Sequence, residues 1–356
     1  MKRVIVSIMM VLVLAMTGCG TGVTESEDTT VNISKETTAA ATEAATEAAT
    51  EAETTTVAPV EPLAIKVIAP YGTPALSMIK MMVDNPVIGD QVTVTYEAIQ
   101  ATDVVTSELI NHTADIAIVP TNLAAVLHAK GTGFKIAGSS VWGVLYIVAN
   151  EDITSIEDLK GKSIGMIGRG LTPDAMMRYI LTENGLDPET DVSLEYFGGS
   201  SELAANFISG QIDIAMIPQP LLTAVLMKKE GAKVVIDLQE AWGEITGEAK
   251  YPLSSMIVSE DLINNHPEVV DSFLAEFEAS VAWLNENPAE AGAYYESMDL
   301  GLKAPIIQKA IPGSNLEYVS VADNKEAFDN YLTVLYEFNN KLTGGVPVDE
   351  ALYFEK

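Results

Sequence analysis

The sequence predicts an α/β protein built as two lobes of one design, and three observations carry that reading. From Leu63 onward, β-branched apolar runs alternate with stretches of helical periodicity. Such alternation favours a parallel sheet with helices on its faces. The strand runs are apolar without interruption, as in "DIAIV" from Asp115 to Val119, which suits a doubly wound sheet covered on both sides. The same order of parts is also written twice: "ADIAIVPTNLAAVLHAKG" from Ala114 to Gly131 returns as "IDIAMIPQPLLTAVLMKKEG" from Ile212 to Gly231.

The chain has 356 residues, enough for two lobes, but its first sixth reads differently. "MKRVIVSIMMVLVLAMTGCG" places two cations before an apolar run and small residues, the pattern of an export signal over residues 1–18. The run from Val4 to Met16 is short for a bilayer span. "MTGC" resembles the bacterial lipobox, with Met16 where leucine is commoner, and the resemblance implies a lipid on Cys19. An ordinary secretory signal with an incidental cysteine is the alternative. Cys19 is the single cysteine, so no internal disulfide can form and the core must carry the fold alone. Residues 19–62 are dominated by Thr, Ala and Glu, a composition too poor in apolar surface to offset ordering, and read as a solvated tether. A formal net charge of −30 argues against a nucleic-acid partner.

The elements follow in order. Leu63–Ala69 is a strand, and Tyr71-Gly72-Thr73-Pro74 is a turn with Thr73 as helix cap and Pro74 at the first helical position. A helix runs to Met82, then come the strand "QVTVTYEAI", a helix over Thr102–Asn111 and the strand "ADIAIV", ended by Pro120 before another helix. The second pass has the strand "GKSIGMIG", the turn Gly170-Leu171-Thr172-Pro173, the helix "DAMMRYILTENG", the strand "VSLEYF", a helix over Glu202–Ser209 and the strand "QIDIAMIP". Thr73 to Thr172, Tyr96 to Tyr196 and Asp115 to Asp213 are 99, 100 and 98 residues apart, so three anchors share nearly one offset.

In open parallel sheets, ligands bind beyond the carboxyl ends of the strands, where helix starts present unpaired N–H groups. Four such starts are legible: Thr73-Pro74, Thr121-Asn122, Thr172-Pro173 and Gln219-Pro220. If the lobes face each other, these converge on one cleft suited to a small polar or anionic solute. Each turn taken singly is no more than a cap; the paired placement gives the weight.

"DLKGKSIGMIG", the duplicated "DIA…P" turns and "HPEVVDSFLAEFEASVAWLNENPAEA" resemble the extracytoplasmic solute-binding proteins of bacterial ABC importers, in the nitrate, sulfonate, taurine and thiamine-pyrimidine group, over roughly Leu63 to Leu342. The resemblance implies a type 2 periplasmic-binding-protein-like fold, with two sheets joined by two crossing strands and a hinge. It also implies a monomer at the outer face of the cell membrane, held by its lipid anchor, and delivery of the solute to an ABC permease with a cytoplasmic ATPase. No Walker-type loop occurs in this chain, so the ATP work would belong to that partner. "SSVWGVLYIVANEDI" reads as the outgoing crossing near Gly143 and "KYPLSSMIVSEDLI" as the return near Pro252. Lobe 1 is then 63–144 plus 254–356, and lobe 2 is 145–253. The tail beyond Asp261 has apolar residues at helical spacing and by resemblance is scaffold, without a ligand role.

Candidate contacts come from the turns and crossings. Tyr71 either stacks on a solute or walls the cleft, and Gly72 and Thr73 follow it. Thr121, Asn122 and Gln219 either bond the solute or cap their helices. Trp142, beside the first crossing, either contacts the solute or packs under the hinge; Trp242 and Tyr251 flank the second crossing with the same two options. Trp283, on the amphipathic tail, reads as core. Arg169, beside Gly170 and Thr172, suits a carboxylate, sulfonate or phosphate, against a solvated loop arginine. Asp174 suits the helix dipole. In "FGGSSE", Gly199 and Ser200 allow close backbone approach and hydrogen bonding, while Glu202 can close a capping pair. Ser254, at the return crossing, completes the set. Catalysis, cofactor and metal are not expected: His112, His128 and His266 are scattered, and no Gly-x-Ser-x-Gly elbow is present. Rival readings on this fold are a tethered sensor and an enzyme such as a menaquinone-pathway dehydratase, which the export signal disfavours.

Overall fold

β-branched runs separated by short turns lay down eleven strands in the computed structural model, which describes residues 62–355. The expected signal peptide, Cys19 and all of the expected tether but residue 62 lie outside the described residues. The first four strands are β1 (Leu63–Pro70), β2 (Val92–Ile99), β3 (Ile116–Pro120) and β4 (Phe134–Trp142). Next come β5 (Leu145–Ala149), β6 (Ser163–Met166), β7 (Ser193–Tyr196), β8 (Ile214–Pro218) and β9 (Lys233–Asp237), then β10 (Pro252–Ser259) and β11 (Leu316–Ser320). They form two sheets, β11-β4-β10-β3-β1-β2 and β7-β6-β8-β5-β9. Each sheet with its helices is one lobe.

The written repeat is a structural one. β1 pairs in parallel with β2 and β3, and β6 pairs in parallel with β7 and β8. Between them run α1 (Thr73–Ser77), α2 (Ile79–Asp84), α3 (Thr102–Ile110) and α4 (Thr121–Ala129) in the first lobe, and α5 (Thr172–Glu183), α6 (Ser200–Ser209), α7 (Leu221–Lys228) and α8 (Leu238–Thr246) in the second. The anchors fall at equivalent places: Thr73 and Thr172 open α1 and α5, Tyr96 and Tyr196 lie in β2 and β7, and Asp115 and Asp213 immediately precede β3 and β8.

The sheets are mixed rather than wholly parallel. β10 runs antiparallel to β3 and β4, and β5 runs antiparallel to β8 and β9. The physical cause lies in the crossings. A strand arriving from the other lobe starts where the parallel strands end, so only the antiparallel direction carries it into the sheet. In each sheet the arriving strand sits fourth from the parallel edge, and the departing strand, β4 or β9, lies outside it.

Burial follows the apolar pattern. Ile116, Ala117, Ile118 and Val119 are fully buried, as is nearly all of β10, because helices cover both faces. The tail forms α9 (Glu260–Asn265), α10 (Pro267–Glu286), α11 (Pro288–Ser297), α12 (Ala304–Ala310) and α13 (Val321–Phe338). α10 starts on Pro267 and buries Val269, Val270, Phe273, Phe277, Val281 and Leu284, a single stripe at helical spacing. Trp283 departs from the core expectation: it is half-buried, under the Lys80 ammonium at 4.5 Å and stacked on Tyr294, because it lies off that stripe. α13 packs on β4, β10 and β11. Among the described residues no helix is long and apolar enough to cross a membrane.

Candidate functional site

The four helix starts meet. Thr73 Oγ1 donates to the Gln219 carbonyl at 2.6 Å, across the two lobes. Asn122 Nδ2 donates to the Gly170 carbonyl at 3.2 Å, and Thr172 Oγ1 donates to Asn122 Oδ1 at 3.1 Å. Each contact pairs one turn of the first lobe with one of the second.

These side chains mostly do not cap their own helices. Gly72 occupies the cap position of α1 with φ 102°, a left-handed value that favours glycine. Thr73 therefore enters the first turn, and its hydroxyl crosses to the other lobe instead of capping. Leu171 caps α5 in the same sense and frees Thr172. Thr121 pairs with Ser255 of β10 at 2.8 Å, and Asn122 also donates to Leu342 O at 3.2 Å. Gln219 is the exception, since its Oε1 accepts from the Thr223 hydroxyl and amide inside its own helix. Thr73, Thr121, Asn122 and Thr172 are all buried, so these bonds are sheltered from water.

Behind the turns lie the crossings between the two sheets. Gly143 separates β4 from β5, and a Cβ on it would stand 2.6 Å from both Gln239 Oε1 and the Tyr251 ring. The outgoing crossing thus needs glycine for close approach rather than for φ. Trp142 donates its indole N–H to Glu317 O at 2.9 Å and meets Phe328 edge-on, which places it under the hinge. Trp242 and Tyr251 are fully buried, 5.5 Å apart between ring centres. Tyr331 of α13 joins them at 5.7 Å from each. The tail, read as scaffold, therefore reaches the lobe junction. The signal was available only as an aromatic on an amphipathic stripe, which ordinarily marks core.

Charge is arranged at the rim. Asp174 is buried and accepts from Gly170 N–H at 2.7 Å, Arg178 Nε at 2.7 Å and Tyr196 Oη at 2.5 Å. Arg178 also pairs with Glu189. Burial, and then the hydrogen bond to Asp174, pushes the Tyr196 phenol up to about 12. Arg169 is exposed, its guanidinium 5.1 Å from the centre of the Tyr196 ring. It stands at a cavity of about 550 Å³ between the α5 start and the segment Phe338–Leu342. Gly170 and Leu342, the two carbonyls that Asn122 holds, belong to the same wall.

The remaining candidates lie further out. Tyr71 is 38% exposed at the end of β1. Gly199 and Ser200 start α6 beyond the edge strand β7, where Gly198 N–H donates to Glu202 Oε2 at 3.0 Å; this loop makes none of the cross-lobe hydrogen bonds. Ser254 is buried in β10, and its carbonyl accepts from Ser139 Oγ at 2.9 Å. His112 stacks on Phe134 and His128 meets Asp349 at 3.1 Å, so the histidines stay apart.

Against known proteins, a family model described as NMT1/THI5 like matches residues 89–291. A Brucella abortus protein described as a "Putative binding protein" is 29% identical over 184 residues, covering 52% of this chain and 53% of its own length. The Bacillus subtilis protein YtlA, described in the same words, is 22% identical over 189 residues, covering 52% and 54%. The chain thus spans about half the length of the curated relatives it matches. Among solved structures, an ABC transporter protein from Parabacteroides distasonis superposes with a TM-score of 0.71 at 24% identity, covering 82% of this chain and 99% of that one. The periplasmic aliphatic sulphonate binding protein SsuA from Escherichia coli gives 0.66 at 17%, covering 83% and 93%. The periplasmic nitrate-binding protein NrtA from Synechocystis PCC 6803 gives 0.61 at 14%, covering 82% and 84%. These likenesses establish a shared periplasmic-binding-protein-like fold.

Proposed function

The chain belongs to the NMT1/THI5-like family, and from that premise we propose that it is the solute-binding component of an ABC importer. It captures a small anionic or planar heteroaromatic solute between its lobes and delivers it to a membrane permease powered by a cytoplasmic ATPase. Its role is binding, not catalysis. Residues 1–18 export it, and lipidated Cys19 with the tether through residue 62 holds the body on the outer face of the cell membrane.

One observation carries this reading: the helix starts of the two lobes are hydrogen-bonded to one another, Thr73 to Gln219 and Thr172 to Asn122. A protein whose chemistry lay on one lobe would have no need to bring both sets of strand ends together. Hinge rotation at the two crossings opens this junction to solvent, and a solute bridging both lobes shifts the balance toward the closed state.

The test is a thermal-shift series on the full chain with sulfonates, nitrate, phosphonates, aromatic carboxylates and pyrimidines. A solute at a hundred times its Kd stabilises by about 2.7 kcal/mol, worth several degrees in a body of this size. The reading predicts that one class raises the melting point and lowers the radius of gyration in solution. Melting points unmoved by every class at saturating concentration would overturn the solute class proposed here.

A further inference from the structure

Three hydrogen bonds tie the outgoing crossing to the tail. Trp142 N–H donates to Asn315 O at 3.2 Å, the Trp142 indole N–H donates to Glu317 O at 2.9 Å, and Asn315 Nδ2 donates to Gly143 O at 2.6 Å. Gly143 is thereby fixed at both backbone groups, since its own N–H donates to Tyr251 O, at the return crossing, at 3.2 Å. Asn315 has φ 44°, a left-handed value that is uncommon outside glycine and is tolerated best by residues such as asparagine. This bend turns the Asn315 amide onto a carbonyl 172 residues away in the chain.

The same short segment, residues 313–317 between α12 and β11, also reaches the second lobe. Tyr146 of β5 donates its hydroxyl to Gly313 O at 3.3 Å. Just upstream, α12 packs on α7 of the second lobe. Lys250, before the return crossing, pairs with Glu317 at 2.6 Å, but both side chains are about half exposed and the pair adds little. Asn285 of α10 holds the segment from the first lobe by donating to Leu316 O at 2.8 Å. Asn315 and Glu317 border a cavity of about 270 Å³, so on that side no packing replaces a lost bond.

These contacts exceed what an edge strand needs. β11 pairs with β4, and the last rung on the crossing side joins Leu316 to Val141. Asn315 lies past that rung and bonds the crossing itself, at Trp142 and Gly143. A rotation between lobes must be absorbed by φ and ψ changes in the few residues that join the sheets. At Gly143 those changes would have to break the bond to Asn315 or the bond to Tyr251. Parting the lobes would also draw Tyr146 and α7 away from Gly313 and α12.

We propose that residues 313–317 are a strap on the hinge, which clamps Trp142 and Gly143, resists rotation at the outgoing crossing and biases the solute-free protein toward touching lobes. The inference rests on the hinge motion of the receptor reading above, but its test needs no solute. Asn315 is the residue that fastens the strap. The tail is then part of the moving joint rather than scaffold alone, and the tension of the joint is set by a segment remote in sequence from both crossings.

Hydrogen–deuterium exchange of the solute-free full chain tests it, with wild type, Asn315→Gly and Asn315→Asp, read on a peptide covering residues 142–147 and on a control peptide covering β1, residues 63–70. Glycine takes φ 44° without strain but has no side chain to reach Gly143; aspartate keeps the size of the side chain, but its carboxylate has no N–H to give. Both variants should exchange residues 142–147 about fivefold faster, the change that one net hydrogen bond makes in an opening equilibrium, with residues 63–70 unchanged. Small-angle scattering should show a larger radius of gyration for both. Wild-type exchange at residues 142–147 in either variant overturns the strap, and so does faster exchange in Asn315→Gly alone, which would assign the effect to backbone freedom. An equal rise in both peptides marks a general loss of stability and overturns it too, as does faster exchange at the crossing with an unchanged radius of gyration. None of these outcomes touches the receptor reading, which is decided by the thermal-shift series.

Discussion

Thr172 and Asn122 start helices in different lobes, and a single hydrogen bond of 3.1 Å from the Thr172 hydroxyl to Asn122 Oδ1 ties those starts together. Asn122 is also the donor to Gly170 O and Leu342 O, so one buried amide joins the second lobe and the tail to the first. A duplicated pair of turns has become an interlock.

Asn122→Ala removes all three bonds. Two of them cross the lobes; at about 1 kcal/mol net for each of these two, the balance between touching and parted lobes shifts roughly ten- to a hundredfold toward parted. Small-angle scattering of the solute-free protein should show a larger radius of gyration. An unchanged profile would mean that the interlock contributes nothing to lobe contact.

Gly143→Ala places a methyl group 2.6 Å from Gln239 Oε1 and from the Tyr251 ring. The Gln239 amide can swing aside, but the fully buried Tyr251 ring cannot. Overpacking of this kind costs about 1–3 kcal/mol, read as a lower urea midpoint. A midpoint equal to wild type would show slack at the hinge.

Asp174→Ala strips a buried carboxylate from Gly170 N–H, Arg178 and Tyr196. Arg178 keeps Glu189, but the amide and the phenol lose their acceptor. The expected loss is about 2–4 kcal/mol in denaturant unfolding, with Asp174→Asn milder because it still accepts. Equal stability of Asp174→Ala and wild type would refute the role given to this carboxylate.

Alkaline pH should unfold the protein through its tyrosines. Burial, then Asp237 and Glu240, lifts Tyr146 to about 12, and burial with the Asp174 hydrogen bond lifts Tyr196 to about 12, from an ordinary value of 10.0. Both pKa values are higher folded than unfolded, so the folded state binds the protons more tightly. The stability they lend is complete below pH 10 and is lost as the pH climbs through about 12. Urea midpoints should be flat up to pH 10 and fall beyond it, with phenolate absorbance from these residues appearing only on unfolding. Normal titration of every tyrosine in the folded protein would contradict this.

Much of this architecture is legible in one sequence because a repeat is a long-range signal written locally. The offsets at Thr73/Thr172, Tyr96/Tyr196 and Asp115/Asp213 align the two halves without any contact. The meeting of four turns followed from that alignment and the rule about strand ends. β9 and β11 went unread because "KVVID" and "LEYVS" are short, partly exposed strands with little periodicity. The antiparallel entries follow from connectivity between lobes, which hydropathy does not encode. The group of Gln239, Trp242, Tyr251 and Tyr331 spans 92 residues and is assembled by tertiary packing alone. Thr73 reads as a cap because cap and cross-lobe donor use the same residue type at the same place, and only the neighbouring Gly72 decides between them.

The strand order sets a schedule for assembly. β10 lies between β3 and β4, so the first sheet remains in two pieces until residues 252–259 have left the ribosome. The second sheet draws all its strands from the continuous stretch 145–237 and can be completed earlier. Synthesis from the N-terminus therefore delivers a finished second lobe beside an unfinished first one, and the half that emerges first is the last to seal.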